Sequence, residues 1–191
     1  MVNNAVWPGG RILTRSLVLT LIGPDRPGLV EALARSIAAH DANWLESRMS
    51  RLAGKFAGIL LVDVPDGQAE ALTRSLRELQ SEGLTVVTEH SSEEEAPRDW
   101  VGLQLSLVGQ DRPGIIRDIS RALAGRGVNV EELSTGCTSA PMSGEALFHA
   151  TARLQVPKGA PLEELREALE ALANDLMVDL TLRTPGSPTQ E

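Results

Sequence analysis

Apolar residues alternate with polar ones over short runs, then recur every three or four positions, and this succession appears twice in the same order. Leu17, Leu19 and Leu21 mark a half-buried strand over about 16–22. Leu29, Leu33 and Ile37, flanked by Val30, Ala34 and Ala38, predict a helix over about 27–40 whose stripe is wide enough to lie on a sheet. A second strand follows over 43–52. After a turn at Ala53-Gly54-Lys55, the nearly continuous apolar run from Phe56 to Val64 reads as a central, largely buried strand. Ala69, Leu72, Leu76 and Leu79 form one face of a helix over 68–81. Gly83 stops it, and residues 84–90 form a last strand. The order is βαββαβ.

The second half repeats this order. Leu103, Leu105 and Leu107 mark its first strand, and Ile115, Ile116, Ile119 and Leu123 its first helix, stopped by Gly125 and Gly127. Leu162, Leu165, Leu169, Leu172 and Leu176 mark a last helix from 161, and residues 178–182 close the sheet. The fold class is α+β: two ferredoxin-like βαββαβ domains, each an antiparallel four-stranded sheet with both helices on one face. The boundaries read 15–91 and 99–184. Between them 92–98, with Glu93-Glu94-Glu95, is an acidic, solvated linker. The helix-free face of each sheet needs a cover or a polar coat. Two such units are expected to pair about a pseudo-two-fold axis, each first turn facing the other's second strand.

The strongest repeat is a turn. Gly23-Pro24-Asp25-Arg26-Pro27-Gly28 returns 86 residues later as Gly109-Gln110-Asp111-Arg112-Pro113-Gly114. Pro27 and Pro113 suit a first helical position, while Gly28 and Gly114 keep the backbone bare. The same offset aligns Asn43 with Asn129, both opening the second strand. Val64-Pro65 matches Val156-Pro157 at an offset of 92, so six extra residues fall in the second hairpin, around Ser139 to Gly144.

Charge narrows the function. At net −8 over 191 residues the chain lacks the basic footprint of phosphate-backbone binding, so no direct nucleic-acid contact is expected. No run approaches the length of a membrane span, and the single cysteine, Cys137, excludes an internal disulfide and fits a reducing, cytoplasmic setting. No catalytic or metal-binding constellation emerges and no cofactor is called for. His40, His90 and His149 lack ligand spacing, and Cys137 has no base beside it and reads as a buried or half-buried inert thiol. What remains is a pair of small-ligand clefts. Backbone N–H groups at Gly28 and Gly114 would take a carboxylate, Asp25 and Asp111 an ammonium, and Asn43 and Asn129 would add a donor and an acceptor, a set that suits a zwitterion. Asp before Arg-Pro-Gly also suits a turn former, and Asn after a helix a left-handed stop.

Both halves resemble ACT domains, small βαββαβ modules that bind amino acids. Asp25-Arg26-Pro27-Gly28 and Asp111-Arg112-Pro113-Gly114 match the family's first turn, and Asn43 and Asn129 match its second-strand asparagine, so the resemblance implies all ten as ligand-binding residues. The segment Arg51 to Gly58, and Ala140 to Gly144 before Leu147-Phe148, are similar to the glycine cleavage system transcriptional repressor family. That resemblance implies a non-enzymatic sensor of a small amino acid, glycine in the first instance. Such a sensor acts by ligand-modulated contact with a transcriptional activator, with the ligand bridging two units. Monomer and homodimer both stay open. Leu45 and Glu131 replace each other along an otherwise similar strand, so the clefts need not take the same ligand. A regulatory subunit of an amino-acid biosynthetic enzyme is the alternative reading, and a purely structural dimerisation module a third.

Overall fold

The computed structural model describes residues 13–91, 99–139 and 145–184. The acidic linker 92–98 and the hairpin insertion 140–144 lie outside these. The chain forms two compact units. The first contains β1 (Thr14–Pro24), α1 (Leu29–Ala38), β2 (Asn43–Leu52), β3 (Lys55–Pro65), α2 (Ala69–Glu78) and β4 (Thr85–His90). The second contains β5 (Trp100–Gln110), α3 (Ile115–Ala124), β6 (Asn129–Ser139), β7 (Ala146–Pro157), α4 (Leu162–Leu176) and β8 (Val178–Arg183). The sheets run β2-β3-β1-β4 and β6-β7-β5-β8, antiparallel throughout. Each is a split βαβ unit, in which α1 crosses between β1 and β2 while β3 lies between them.

The alternation read from the sequence sets the core. Leu17, Leu19 and Leu21 meet Leu29, Leu33 and Ile37 of α1 and Leu72 and Leu76 of α2, all at most 4% exposed. Leu103, Leu105, Leu107, Ile115, Ile119, Leu165 and Leu169 repeat the arrangement. Ser36, the one buried polar residue among those described, shares a 2.9 Å hydrogen bond with Ser75 that joins α1 to α2. On the helix-free face Ile59 and Val87 flank Thr20, and both are half exposed.

Element ends differ from the sequence reading. The strands β1 and β5 extend to Pro24 and Gln110, and α1 starts at Leu29, not at Pro27. The last turn of the second helix tightens to a 3-10 segment over Leu79–Glu82 before Gly83 turns left-handed at φ 85°. Ala53 and Gly54, both at positive φ, make the two-residue hairpin turn.

The offset of 92 for the third strand appears directly in the register, where Leu21 pairs with Gly58 and Leu107 with Ala150. One irregularity recurs. The ladder slips between Trp44 and Glu46 and again between Val130 and Glu132, so Leu45 and Glu131 are β-bulge positions.

Candidate functional site

The repeated turn is held the same way in both units. The Asp25 N–H donates to Gly54 O and the Asp111 N–H to Ala146 O, each at 2.9 Å, which pins the turn to the start of the third strand. Arg26 donates to Glu82 O, and Arg112 Nη2 to Asp175 O at 3.0 Å. Both guanidinium groups therefore sit on carbonyls at the end of the second helical segment, which lack intrahelical partners. Gly23 and Gly109 close the same corner from below. A Cβ on Gly23 would lie 2.7 Å from Gly83 O, and one on Gly109 would lie 2.8 Å from Val178 Cβ. The first glycine of the motif is there for strand packing.

Pro27 and Pro113 lie one residue before the helix cap, which corrects their expected place at the first helical position. Gly28 and Gly114 are the caps, at φ 91° and 101°, a left-handed backbone that favours glycine. Their carbonyls accept the first helical bonds, from Ala32 and Asp118. Neither helix has a side-chain cap, so first-turn N–H groups remain for water or a ligand.

The two turns differ in their surroundings. In the first unit nothing lies within 4 Å of where a Cβ on Gly28 would be, and Arg51 Nε sits 2.5 Å from Asp25 Oδ2. In the second, Arg117 Nη2 would be 3.0 Å from a Cβ on Gly114. Arg117 is forked onto Asp118 by bonds of 2.8 and 3.1 Å, and this hydrogen bonding holds the Asp118 carboxyl below its ordinary range. Position 137, the counterpart of 51, is Cys137, whose thiol faces Asp111. Desolvation, then the Asp111 charge and the S–H hydrogen bond to it, push this thiol up from its ordinary value. Cys137 is exposed, contrary to the expectation of burial, because β6 is an edge strand.

Arg51 and Cys137 reach these places through the bulges. Trp44 opposite Val62 faces the helices, and the slip at Leu45 then brings Ser47, Met49 and Arg51 to that face opposite Leu60, Gly58 and Phe56. The sequence reading placed neither residue beside the turns, although the two correspond at the 86-residue offset.

Asn43 and Asn129 are elsewhere. Asn43 pairs with Asp63, whereas the turn follows Pro24, opposite Lys55. The eight residues of β3 between those points span about 27 Å. Within one unit, therefore, Gly28 and Asn43 lie at opposite ends of the sheet, and the same holds for Gly114 and Asn129. Both asparagines are exposed. In the second unit the bulge residue Glu131 accepts a 2.9 Å bond from Gln155, the register partner of Asn129.

Among the described residues no group of three or more His, Cys, Asp or Glu side chains could hold a metal ion. No helix among them is long and apolar enough to cross a membrane.

Comparison with known proteins gives matches to the ACT domain over residues 15–89 and again over 104–174. The chain is 24% identical over 164 residues to the glycine cleavage system transcriptional repressor of Escherichia coli K12, covering 84% of this chain and 85% of that one. It is 27% identical over 181 residues to phosphoserine phosphatase SerB2 of Mycobacterium tuberculosis, covering 90% of this chain and 41% of that protein. A crystal structure of an unknown protein from Galdieria sulphuraria superposes with a TM-score of 0.82 at 29% identity, covering 90% of this chain and 99% of that one.

Proposed function

The chain belongs to the ACT domain family, with two such domains in tandem, and from that premise we propose that it is a non-enzymatic, amino-acid-sensing regulatory protein of the cytoplasm. Its ligand is a small amino acid, glycine first among the candidates. The observation that carries this reading is the recurrence of one turn: a left-handed glycine cap before a helix start without a side-chain cap, in both units. Such a start favours a carboxylate. Asp25 and Asp111 are the polar groups proposed to complete recognition at the turns, and Asn43 and Asn129, each at the far end of its own unit's sheet, are proposed to meet ligand apart from that unit's turn. The four residues Arg26, Pro27, Arg112 and Pro113 hold the turn in shape.

Regulation then works through a protein partner, proposed to be a transcriptional activator in keeping with the similarity to the repressor. A ligand changes that contact only through different affinities for two states of the chain. Calorimetric titration of the full chain with single amino acids is the test: saturable heat with glycine or another small amino acid supports the reading, and none with any of them refutes it. The net charge of −8 leaves direct DNA contact outside the proposal. An anisotropy titration with ordinary duplex at physiological salt should give no sub-micromolar binding.

The alternative, a regulatory subunit of an amino-acid biosynthetic enzyme, draws on the similarity to part of a phosphoserine phosphatase. Ligand-dependent co-purification with a biosynthetic enzyme in place of a transcriptional protein would favour it.

A further inference from the structure

A groove in the first unit, between α2 and the β1–β4 edge, takes no part in the turn. It encloses about 450 Å³, within the roughly 300–1,000 Å³ typical of small-molecule sites. Leu17 pairs with His90, so the pleat turns His90, with Leu17 and Arg15, toward the helices, and Glu89, opposite Val18, also borders the groove. From the other wall α2 contributes Glu70, Arg74 and Arg77. Arg15 Nε lies 3.3 Å from Asp66 Oδ1 on the rim. Among the described residues no carboxylate pairs with Arg74 or Arg77. Three arginines and a histidine thus meet two glutamates, Glu70 and Glu89, in a concave surface, on a chain whose net charge is −8.

The fold does not require this. Buried Leu72 and Leu76 of α2 correspond to buried Leu165 and Leu169 of α4. That alignment puts Glu167 and Glu170 where the first unit has Arg74 and Arg77, Arg166 in place of Thr73, Val101 in place of Arg15 and Arg183 in place of Glu89. The corresponding face of the second unit therefore does not repeat the arginine cluster.

We propose that this groove is a second ligand site, for a small dianion of the phosphate-monoester or dicarboxylate class. Arg74 and Arg77, three apart on one helix face, can bring two guanidinium forks to one oxyanion, with Arg15 and His90 facing them. The seven residues of β1 from Leu17 to Pro24 place the site about 24 Å from the turn, and Asn43, at the same end of the sheet, is on the helix-free face, so the groove is distinct from both.

The test is nuclear magnetic resonance titration of the isotope-labelled full chain with inorganic phosphate and, separately, succinate, each at matched ionic strength against chloride. Saturable shifts confined to α2, β1 and β4 are expected, and the stronger arm names the class. Arg74→Glu with Arg77→Glu, the second unit's own residues, should weaken the binding by at least about tenfold while glycine titration stays unchanged. If that double variant melts early, the neutral Arg74→Gln and Arg77→Gln variants carry the same comparison. Shifts no different from those in chloride, shifts located elsewhere, or unchanged affinity in the folded variants would overturn the site. Loss of glycine binding alone would speak only against the amino-acid reading.

Discussion

Arg51 closes on Asp25 with its Nε 2.5 Å from the carboxylate, and the corresponding pair in the second unit is Cys137 and Asp111. The first turn therefore has a neutralised carboxylate and an exposed guanidinium, while the second presents a carboxylate beside a protonated thiol. Two turns nearly identical in sequence offer a ligand different charge.

Replacing Arg51 by alanine should release Asp25. Because the pair is exposed, stability should change by no more than about 1 kcal/mol. Amino-acid affinity of the first unit should rise, by up to about tenfold if Asp25 takes the ammonium. Calorimetry beside chemical denaturation reads both, and lower or unchanged affinity would remove Asp25 from that role.

The glycine caps should tolerate a side chain unequally. Gly28→Ala meets open space, so its cost is that of the left-handed backbone, about 1–2 kcal/mol. Gly114→Ala must also displace Arg117 and should cost more. Equal losses in denaturant midpoint would show that the Arg117 fork does not crowd the second turn. Gly28→Val adds a branched side chain where ligand must approach backbone and should abolish binding in protein that still folds.

Alkylation should be slow at Cys137 despite its exposure. The raised thiol pKa lowers the thiolate fraction at neutral pH, and thiolate is the nucleophile. Asp111→Asn removes the charge but not the desolvation, so it should restore only part of the rate shown by an unhindered cysteine. A rate that stays the same or falls in the variant would exclude the carboxylate as a cause.

Asn43→Ala and Asn129→Ala should leave stability within about 0.5 kcal/mol, as befits exposed strand positions. Each should weaken amino-acid binding by about 2- to 13-fold if its hydrogen bond contributes about 0.5–1.5 kcal/mol. Unchanged affinity in both would confine recognition to the turns.

Side-chain periodicity alone determined much of this protein. Alternating Leu17, Leu19 and Leu21, the three-and-four spacing of Leu29, Leu33 and Ile37, and the 86-residue recurrence of Asp-Arg-Pro-Gly specified two βαββαβ units and the place of their turns. Those signals are local: a strand's period and a helix's stripe follow from backbone geometry over a few residues. The occupants of the sites depended on register between strands distant in sequence. One extra residue at Leu45 reverses which face the rest of β2 presents, bringing Arg51 to Asp25. The antiparallel ladder of β3 sets Asn43 and Gly28 at opposite ends of the unit. The pairing of Leu17 with His90 turns Arg15 and His90 toward Arg74 and Arg77. Each of these relationships joins residues that no short window contains, so only the closed hydrogen-bond ladders of the folded sheet could decide them.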